Sequence, residues 1–424
     1  MTQKFILSAT GDTLCTKRCS FNTDERFLSL VKILRESDVA FTNLETRIHT
    51  FKGYPMPNET MQGNTYQQAD PFIADELKWM GFNLIARANN HGLDYGHAML
   101  LEETEILENI ELIHAGVGRN LTEATMPGYL ETRNGRAALI SLCTDFPPHC
   151  PAGEQRRDMQ GRPGINPLRH EIRYMLDGED FLKLKEICLK LGVERGVGEK
   201  QINLLGNRFV LGEKSSVIST LRKSDLERNL RAIKDARRAS NYVFVSIHHH
   251  TNHGGPAVRV QQAAKEFINA GADAIIGHGP HVLQGIEIYN KKPIFYSLGN
   301  FFYQSETIKK FPAEIYERFG LGTEATPQDV IDKRDQLRSS ESRRGEWYMR
   351  WLETLLALCA FEDRELKELR LYPLTTYHES RAQRGQPMLA SEEQGKKIID
   401  YVIKCSSQWG TDIEFKQGVG YVKF

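Results

Sequence analysis

The sequence has no excess of either charge. Its 55 Lys and Arg match 55 Asp and Glu, for a formal net charge of zero over 424 residues. That balance removes the global basic footprint used to hold nucleic acid or an anionic membrane surface. Long apolar runs are missing too, and none approaches the roughly 20 residues a bilayer-spanning helix needs. The opening Met1–Leu7 has one lysine and a short apolar stretch before Gly11-Asp12, with no apolar core or cleavage site of a secretory leader. Cysteine is sparse and odd in number, seven with no Cys-x-x-Cys spacing, which argues against a disulfide framework and for a reducing compartment. There is no internal repeat and no low-complexity segment. What remains is a cytoplasmic globular protein, long enough to bury its own core, with neither nucleic acid nor membrane expected as a partner. Its oligomeric state is left open.

What is present is an alternation of apolar runs with helix-period segments. Phe5–Ala9 reads as a buried strand ending at Gly11-Asp12, and Phe27, Leu30, Val31 and Leu34 follow at helical spacing. Val39–Phe41 runs to Asn43-Leu44-Glu45. Asp70-Pro71 then opens a helix, with the aspartate as N-cap. Leu84–Ala86 runs into Asn89-Asn90-His91, Tyr242–Ile247 into His248-His249-His250, and Ala274–Ile276 into Gly277-His278. Such alternation predicts a layered α/β domain, whose ligands gather beyond the C-terminal ends of the strands. Five of these strand ends carry Asp, Glu, Asn or His. The core is expected over 1–303, interrupted at 150–213 by a helical insertion or lid. A charged helical segment should occupy 304–346, and a hairpin and capped helix 347–424.

Histidine is unevenly placed: six of the thirteen fall between positions 248 and 281. Neutral imidazole is the commonest metal ligand, and clustering at loop tips suits a metal site. His248 and His278, each directly after an apolar strand, read as ligands; His249 and His253 read equally well as solvated loop residues. A lone aspartate after glycine, as at Asp12, is usually a turn residue. Two carboxylates, Asp12 and Glu45, at successive strand ends beside an Asn-His pair are harder to explain that way. Oxygen and imidazole donors together suit a divalent first-row metal such as Zn, Mn or Fe. The order Asp, Glu, Asn-His, His, His-x-x-His points to two ions sharing a carboxylate. In the insertion, Arg162 and Arg169 read either as solvated surface or as a fork for a substrate carboxylate or phosphate. Gly299-Asn300 reads as a turn or as part of an anion-binding site.

Gly11-Asp12, Asn43-Leu44-Glu45, Ala88–Gly96, Ser246-Ile247-His248, Gly271–His281 and Lys292–Phe301 together resemble the bacterial CapA/PgsA family of capsule and poly-γ-glutamate synthesis. The resemblance implies a calcineurin-like metallophosphoesterase-type sandwich of two mixed sheets flanked by helices. It also implies roles. Asp12 would hold a first ion, with His281 returning to it, and Glu45 would bridge. Asn90, His248 and His278 would complete a second site. His91 would protonate the leaving group, with Asp94 as its orienting partner. The superfamily's opening Asp-x-His has Leu14 in place of the histidine, which makes His250 a candidate extra ligand. Where many members continue Trp-Gly-x-Glu after the middle histidine, this chain has His249-His250-Thr251-Asn252. The implied activity is metal-dependent hydrolysis of a phosphoester or an amide or γ-glutamyl bond in an anionic small molecule or peptide-like substrate. The alternative is a non-enzymatic accessory role in polymer synthesis or export.

Overall fold

The computed structural model describes residues 4–57, 66–193, 195–251, 255–339, 349–378, 380 and 382–424. His253 and the end of the expected 304–346 segment lie outside them. The chain forms two compact units, Met1–Pro167 with Arg228–Phe424, and Leu168–Glu227.

The first unit is built on two mixed sheets. In the larger, Lys4–Leu14 is central, with Val39–Leu44, Leu84–Ala86 and Ile113–Ala115 added in parallel on one side. The hairpin Glu353–Glu362 and Glu365–Thr375 lies antiparallel on the other, followed by a second hairpin, Asp412–Lys416 and Val419–Lys423. Asn300–Tyr303 pairs with the far end of Lys4–Leu14. The smaller sheet runs in the order Ile286–Tyr289, Lys292–Phe295, Ala274–His278, Tyr242–His248, Gly135–Cys143, Gly128–Thr132. Phe5, Leu7, Ala9 and Phe41 from the larger sheet and Leu139, Phe244, Ile276 and Phe295 from the smaller share one buried cluster, so the sheets face each other as a sandwich. The central strands read as unbroken apolar runs because both of their faces are covered.

On the outer face of the larger sheet lie the helices Glu25–Arg35, Phe72–Met80 and Gly96–Asn109, through Phe27, Leu30, Leu34, Ile73, Leu77 and Leu107. Asp24 caps the first by accepting from the amides of Arg26 and Phe27. The expected cap at Asp70 does not form: the helix opens at Phe72 without a side-chain cap, and the Asp70 carboxylate pairs with Lys309. The parallel strands of each sheet point the same way, so their C-terminal ends meet at one edge. Gly11 is required there: a Cβ would stand 1.9 Å from the Gly299 carbonyl oxygen, which accepts the Asp12 amide at 2.9 Å.

The second unit corrects the expected helical character of the insertion. It is a four-stranded sheet, Gln201–Leu204, Asn207–Leu211, His170–Leu176 and Ser216–Leu221, with one helix, Gly178–Lys190, packed through Phe181 and Cys188. Its charged residues alternate with Ile172, Tyr174 and Leu176, a period of two rather than of a helix. Residues 150–167 belong to the first unit, where Gly164–Ile165 pairs with Val117–Gly118. Helices Ala313–Arg318 and Pro327–Ser339 lie in the charged segment, and Ser391 caps the late helix Glu392–Ser406. No helix among the described residues is long and apolar enough to cross a membrane.

Candidate metal centre

The carboxyl ends of the strands in both sheets converge on a buried polar cluster. Asp12 comes from the central strand of the larger sheet, and Glu45 and Asn90 from the loops after its next two parallel strands. His248 and His278 end adjacent parallel strands of the smaller sheet, in register with each other. Three sets of donor atoms lie within 4.8 Å of one another: Asp12, His248 and His278; Glu45, His248 and His250; Asp12, Glu45 and His281. His250 therefore stands with the expected ligands, its Nε2 3.1 Å from that of His248.

Asp12 is fully buried and held on both oxygens, Oδ1 by Asn43 Nδ2 and Oδ2 by the Gly279 amide, each at 2.8 Å. Gly279, at φ 108°, allows this approach; a Cβ there would meet the His249 carbonyl oxygen at 2.4 Å. Burial works against ionisation of Asp12, but His278, His281 and Asn43 outweigh it and hold the carboxyl below its ordinary range. Glu45 is the opposite case. It is fully buried, neither carboxylate oxygen has a hydrogen-bond partner among the described residues, and burial together with the charges of Asp12 and Asp94 pushes its pKa well up.

The imidazoles are crowded. Nδ1 of His248 lies 2.9 Å from Nδ1 of His278, and its Nε2 lies 2.8 Å from Asn90 Oδ1. His278 Nε2 is 2.6 Å from Ser246 Oγ, leaving its Nδ1 toward Asp12 at 3.4 Å. Burial pushes His248 well below its ordinary range and His250 down to about 3, so both rings are neutral donors of the kind metals take. His281, at the unusual φ of 61°, sits with Nδ1 3.7 Å from Asp12 Oδ2 and Nε2 3.8 Å from Glu45 Oε1. His91 stands at the rim: Asp94 Oδ2 takes its Nδ1 at 2.7 Å, which turns Nε2 toward Glu45 Oε1 at 3.8 Å.

Other expected residues sit elsewhere or do other work. Asn300 is fully buried and its carboxamide is taken up, Oδ1 facing His281 Nδ1 at 2.8 Å and Nδ2 donating to the carbonyls of His281 and Trp351. It positions His281 rather than standing open to a substrate. Arg169 belongs to the second unit, where both arms of its guanidinium bind Asp225 at 2.7 Å. Arg162 is exposed and donates from Nη2 to the Pro151 carbonyl. His249 is not a loop residue in solvent; it is buried between the Tyr296 carbonyl and Thr251 Oγ1, each at 2.8 Å.

Five further residues support the centre without any role assigned to them from the sequence. Asn43 joins Asp12 to Asn89. Asp145, beyond the strand Gly135–Cys143, accepts the His250 amide and the Arg259 guanidinium, and the strand-end rule that found Glu45 would have found it. Arg47 and Arg87, both fully buried, share the fully buried Glu103 at 3.1 and 2.7 Å. This ion cluster anchors the chain on either side of the centre, because Arg47 also donates to the Leu44 carbonyl and Arg87 to that of Leu100. No local signal pairs these residues, since Glu103 lies on a separate helix.

Two facing mixed sheets with carboxylate, amide and imidazole donors at their shared edge define a protein of the metallophosphoesterase-like α/β class. Sequence comparison agrees: residues 6–305 match the family of the bacterial capsule synthesis protein PGA_cap, and the chain belongs to that family. Two Sinorhizobium fredii proteins, "Uncharacterized protein y4sH" and "Uncharacterized protein y4uA", are each 32% identical over 434 residues, spanning 99% of this chain and 93% of theirs. The "PGA biosynthesis protein CapA" of Bacillus subtilis is 24% identical over 327 residues, 74% of this chain and 69% of that one.

Proposed function

We propose that the protein is a metal-dependent hydrolase that directs an activated water at a phosphoester or an amide or γ-glutamyl bond of an anionic small molecule. The observation that carries this reading is Glu45: a fully buried carboxylate with no hydrogen-bond partner among the described residues, set among four histidines and a second carboxylate. An unpaired buried charge is costly, and a cation between these groups removes the cost. The same cation relieves the facing Nδ1 atoms of His248 and His278, which otherwise need a shared proton. The donors thus fit first-row divalent ions. Zn, Mn or Fe ions held by Asp12, Glu45, Asn90, His248, His278 and His281, with His250, would supply an activated water and a clamp on the scissile group.

The chain's own residues account for the remaining chemistry. Asp94 accepts from Nδ1 of His91 and fixes the ring, so Nε2 is the atom that hands a proton to the leaving group. Asn300 and Ser246 hold His281 and His278, and Asp145 holds the backbone of His250. A second reading, an accessory role in synthesis or export of a capsule polymer, is supported by the names of two relatives, the PGA biosynthesis protein CapA of Bacillus subtilis and the capsule biosynthesis protein CapA of Bacillus anthracis. The test is turnover by metal-loaded protein of 4-nitrophenyl phosphate and γ-glutamyl-4-nitroanilide. Turnover of either, lost in His91→Ala with metal retained, supports the hydrolase. Failure on both substrates, with the metal in place, favours the accessory reading.

A further inference from the structure

We propose that His49, Gln68 and Tyr95 form a neutral polar subsite beside His91 that takes an uncharged amide group of the ligand. The proposal rests on the hydrolase reading above, with His91 marking the leaving-group side. Three segments meet there. Ile48 and Ala69 pair in parallel, with Arg47 and His49 bonded through their backbones to Ala69. The Gln67 amide donates at 2.8 Å to Asp94 Oδ2, the oxygen that also takes His91 Nδ1. Tyr95 follows Asp94, and its ring centroid is 4.5 Å from that of His49. Side chains alternate along extended chain. Ile48 and Ala69 face the apolar core, so His49 and Gln68 lie on the opposite face of their segments, where the His49 ring meets that of Tyr95.

What this face lacks is partners. His49 Nε2, both amide atoms of Gln68 and the Tyr95 hydroxyl are buried and have no hydrogen-bond partner among the described residues. Buried polar groups are nearly always satisfied, and four such atoms on one face point to an absent ligand. Their chemistry selects it. His49 Nδ1 accepts from the Phe51 amide at 3.0 Å, so the neutral ring carries its hydrogen on Nε2 and offers a donor. Gln68 offers one donor group and one acceptor, and the Tyr95 hydroxyl offers both. Glu103, Glu102 and Asp94 bear on His49, but Arg47 and Arg87 pair with Glu103 and Lys52 with Glu102, so charge alone does not choose the ligand. The donors and the acceptor choose it: a carboxamide complements both together, whereas a carboxylate leaves the Gln68 amide donor as its only match on that side chain. Phe51 closes the face, its ring 4.8 Å from that of His49 and 5.6 Å from that of Tyr95. Its φ of 63° is an uncommon setting for a bulky residue.

The test uses propionamide and propionate as a matched pair, with ligand-observed NMR on the full-length protein and metal content measured on the same samples. Propionamide should bind wild type, and at least tenfold more weakly to Gln68→Met and Tyr95→Phe, with propionate not bound. Both variants should keep or raise Tm, because they remove buried groups that lack partners. Propionate binding as well as propionamide, or propionamide binding unchanged in both variants, would overturn the subsite. A fall in Tm in both variants without any propionamide binding to wild type would show a structural role instead. Amide binding by protein without metal leaves the subsite standing while the hydrolase reading fails; metal without amide binding does the reverse.

Discussion

His248 Nε2 lies 2.8 Å from Asn90 Oδ1, and the two residues come from different sheets. His248 ends a strand of the smaller sheet, whereas Asn90 follows Leu84–Ala86 of the larger. The contact ties the ligand edges of the two layers, so the centre is a property of the sandwich and not of either sheet alone. Changes on either side should therefore be felt across it.

His91→Ala is expected to lower turnover by about 10²–10⁴-fold, the usual contribution of a positioned acid, while metal content stays near wild type. Asp94→Asn should give a smaller loss, because the ring remains but its orientation and tautomer are no longer fixed. Steady-state kinetics with metal analysis on each variant checks both. Loss of metal in His91→Ala would move that residue from proton donor to ligand.

Glu45→Gln separates the cost of the carboxylate from its use. Burial raises the folded-state pKa of Glu45 above its unfolded value, so metal-free protein loses stability as pH rises from the ordinary glutamate range through that raised value. The slope is about 1.4 kcal/mol per pH unit. Glu45→Gln has no such slope, and should bind less metal yet melt higher than stripped wild type at the alkaline end. Thermal melts of chelator-treated protein across pH, with metal content of untreated samples, read both effects.

The Arg47–Glu103–Arg87 cluster carries two cations on one carboxylate, all three side chains fully buried. Removing the carboxylate by Glu103→Ala leaves two unpaired buried guanidinium groups, for an expected loss of about 3–5 kcal/mol. Denaturant unfolding measures it. An effect below about 1 kcal/mol, the size of a surface pair, would mean that the cluster does not anchor the loops around the centre.

Glu76 gives a pH prediction away from the centre. Burial works against its charge, but the Ser20 and Cys19 amides, the Ser20 hydroxyl and Arg18 together hold its pKa below the ordinary value. A depressed folded-state value means that its stabilisation is present above the unfolded pKa and lost as pH falls through the folded one. Glu76→Gln should thus cost about 1–3 kcal/mol near neutrality, with the gap to wild type closing in acid. Paired urea titrations at several pH values follow the gap.

The strands that carry the centre were legible in the sequence because they are buried on both faces and end abruptly in polar residues. Phe5–Ala9, Val39–Phe41, Tyr242–Ile247 and Ala274–Ile276 all lie within strands. The strand-end rule brought Asp12, Glu45, Asn90, His248 and His278 to one edge, where the structure gathers them. What could not be read is how side chains outside those runs are used. Arg169 stands in a loop rich in turn residues, and only the three-dimensional fold brings Asp225, 56 positions away, to its guanidinium. Asn300 reads from its sequence as a turn or anion-site residue, whereas it opens the strand Asn300–Tyr303 and its orientation toward His281 involves Trp351, which no local pattern connects to it. The second unit was misread as helical because its strands are short and their alternating charges blur the apolar period.

Elemental analysis of freshly purified wild type beside His248→Ala tests the metal centre most directly. His248 contributes to two of the three donor groups, so its loss should remove most of the metal. Wild type should carry about two first-row metal ions per chain, the number a bridging carboxylate serves, and the variant clearly fewer. Wild-type protein free of metal, prepared without chelators, would contradict the proposed centre.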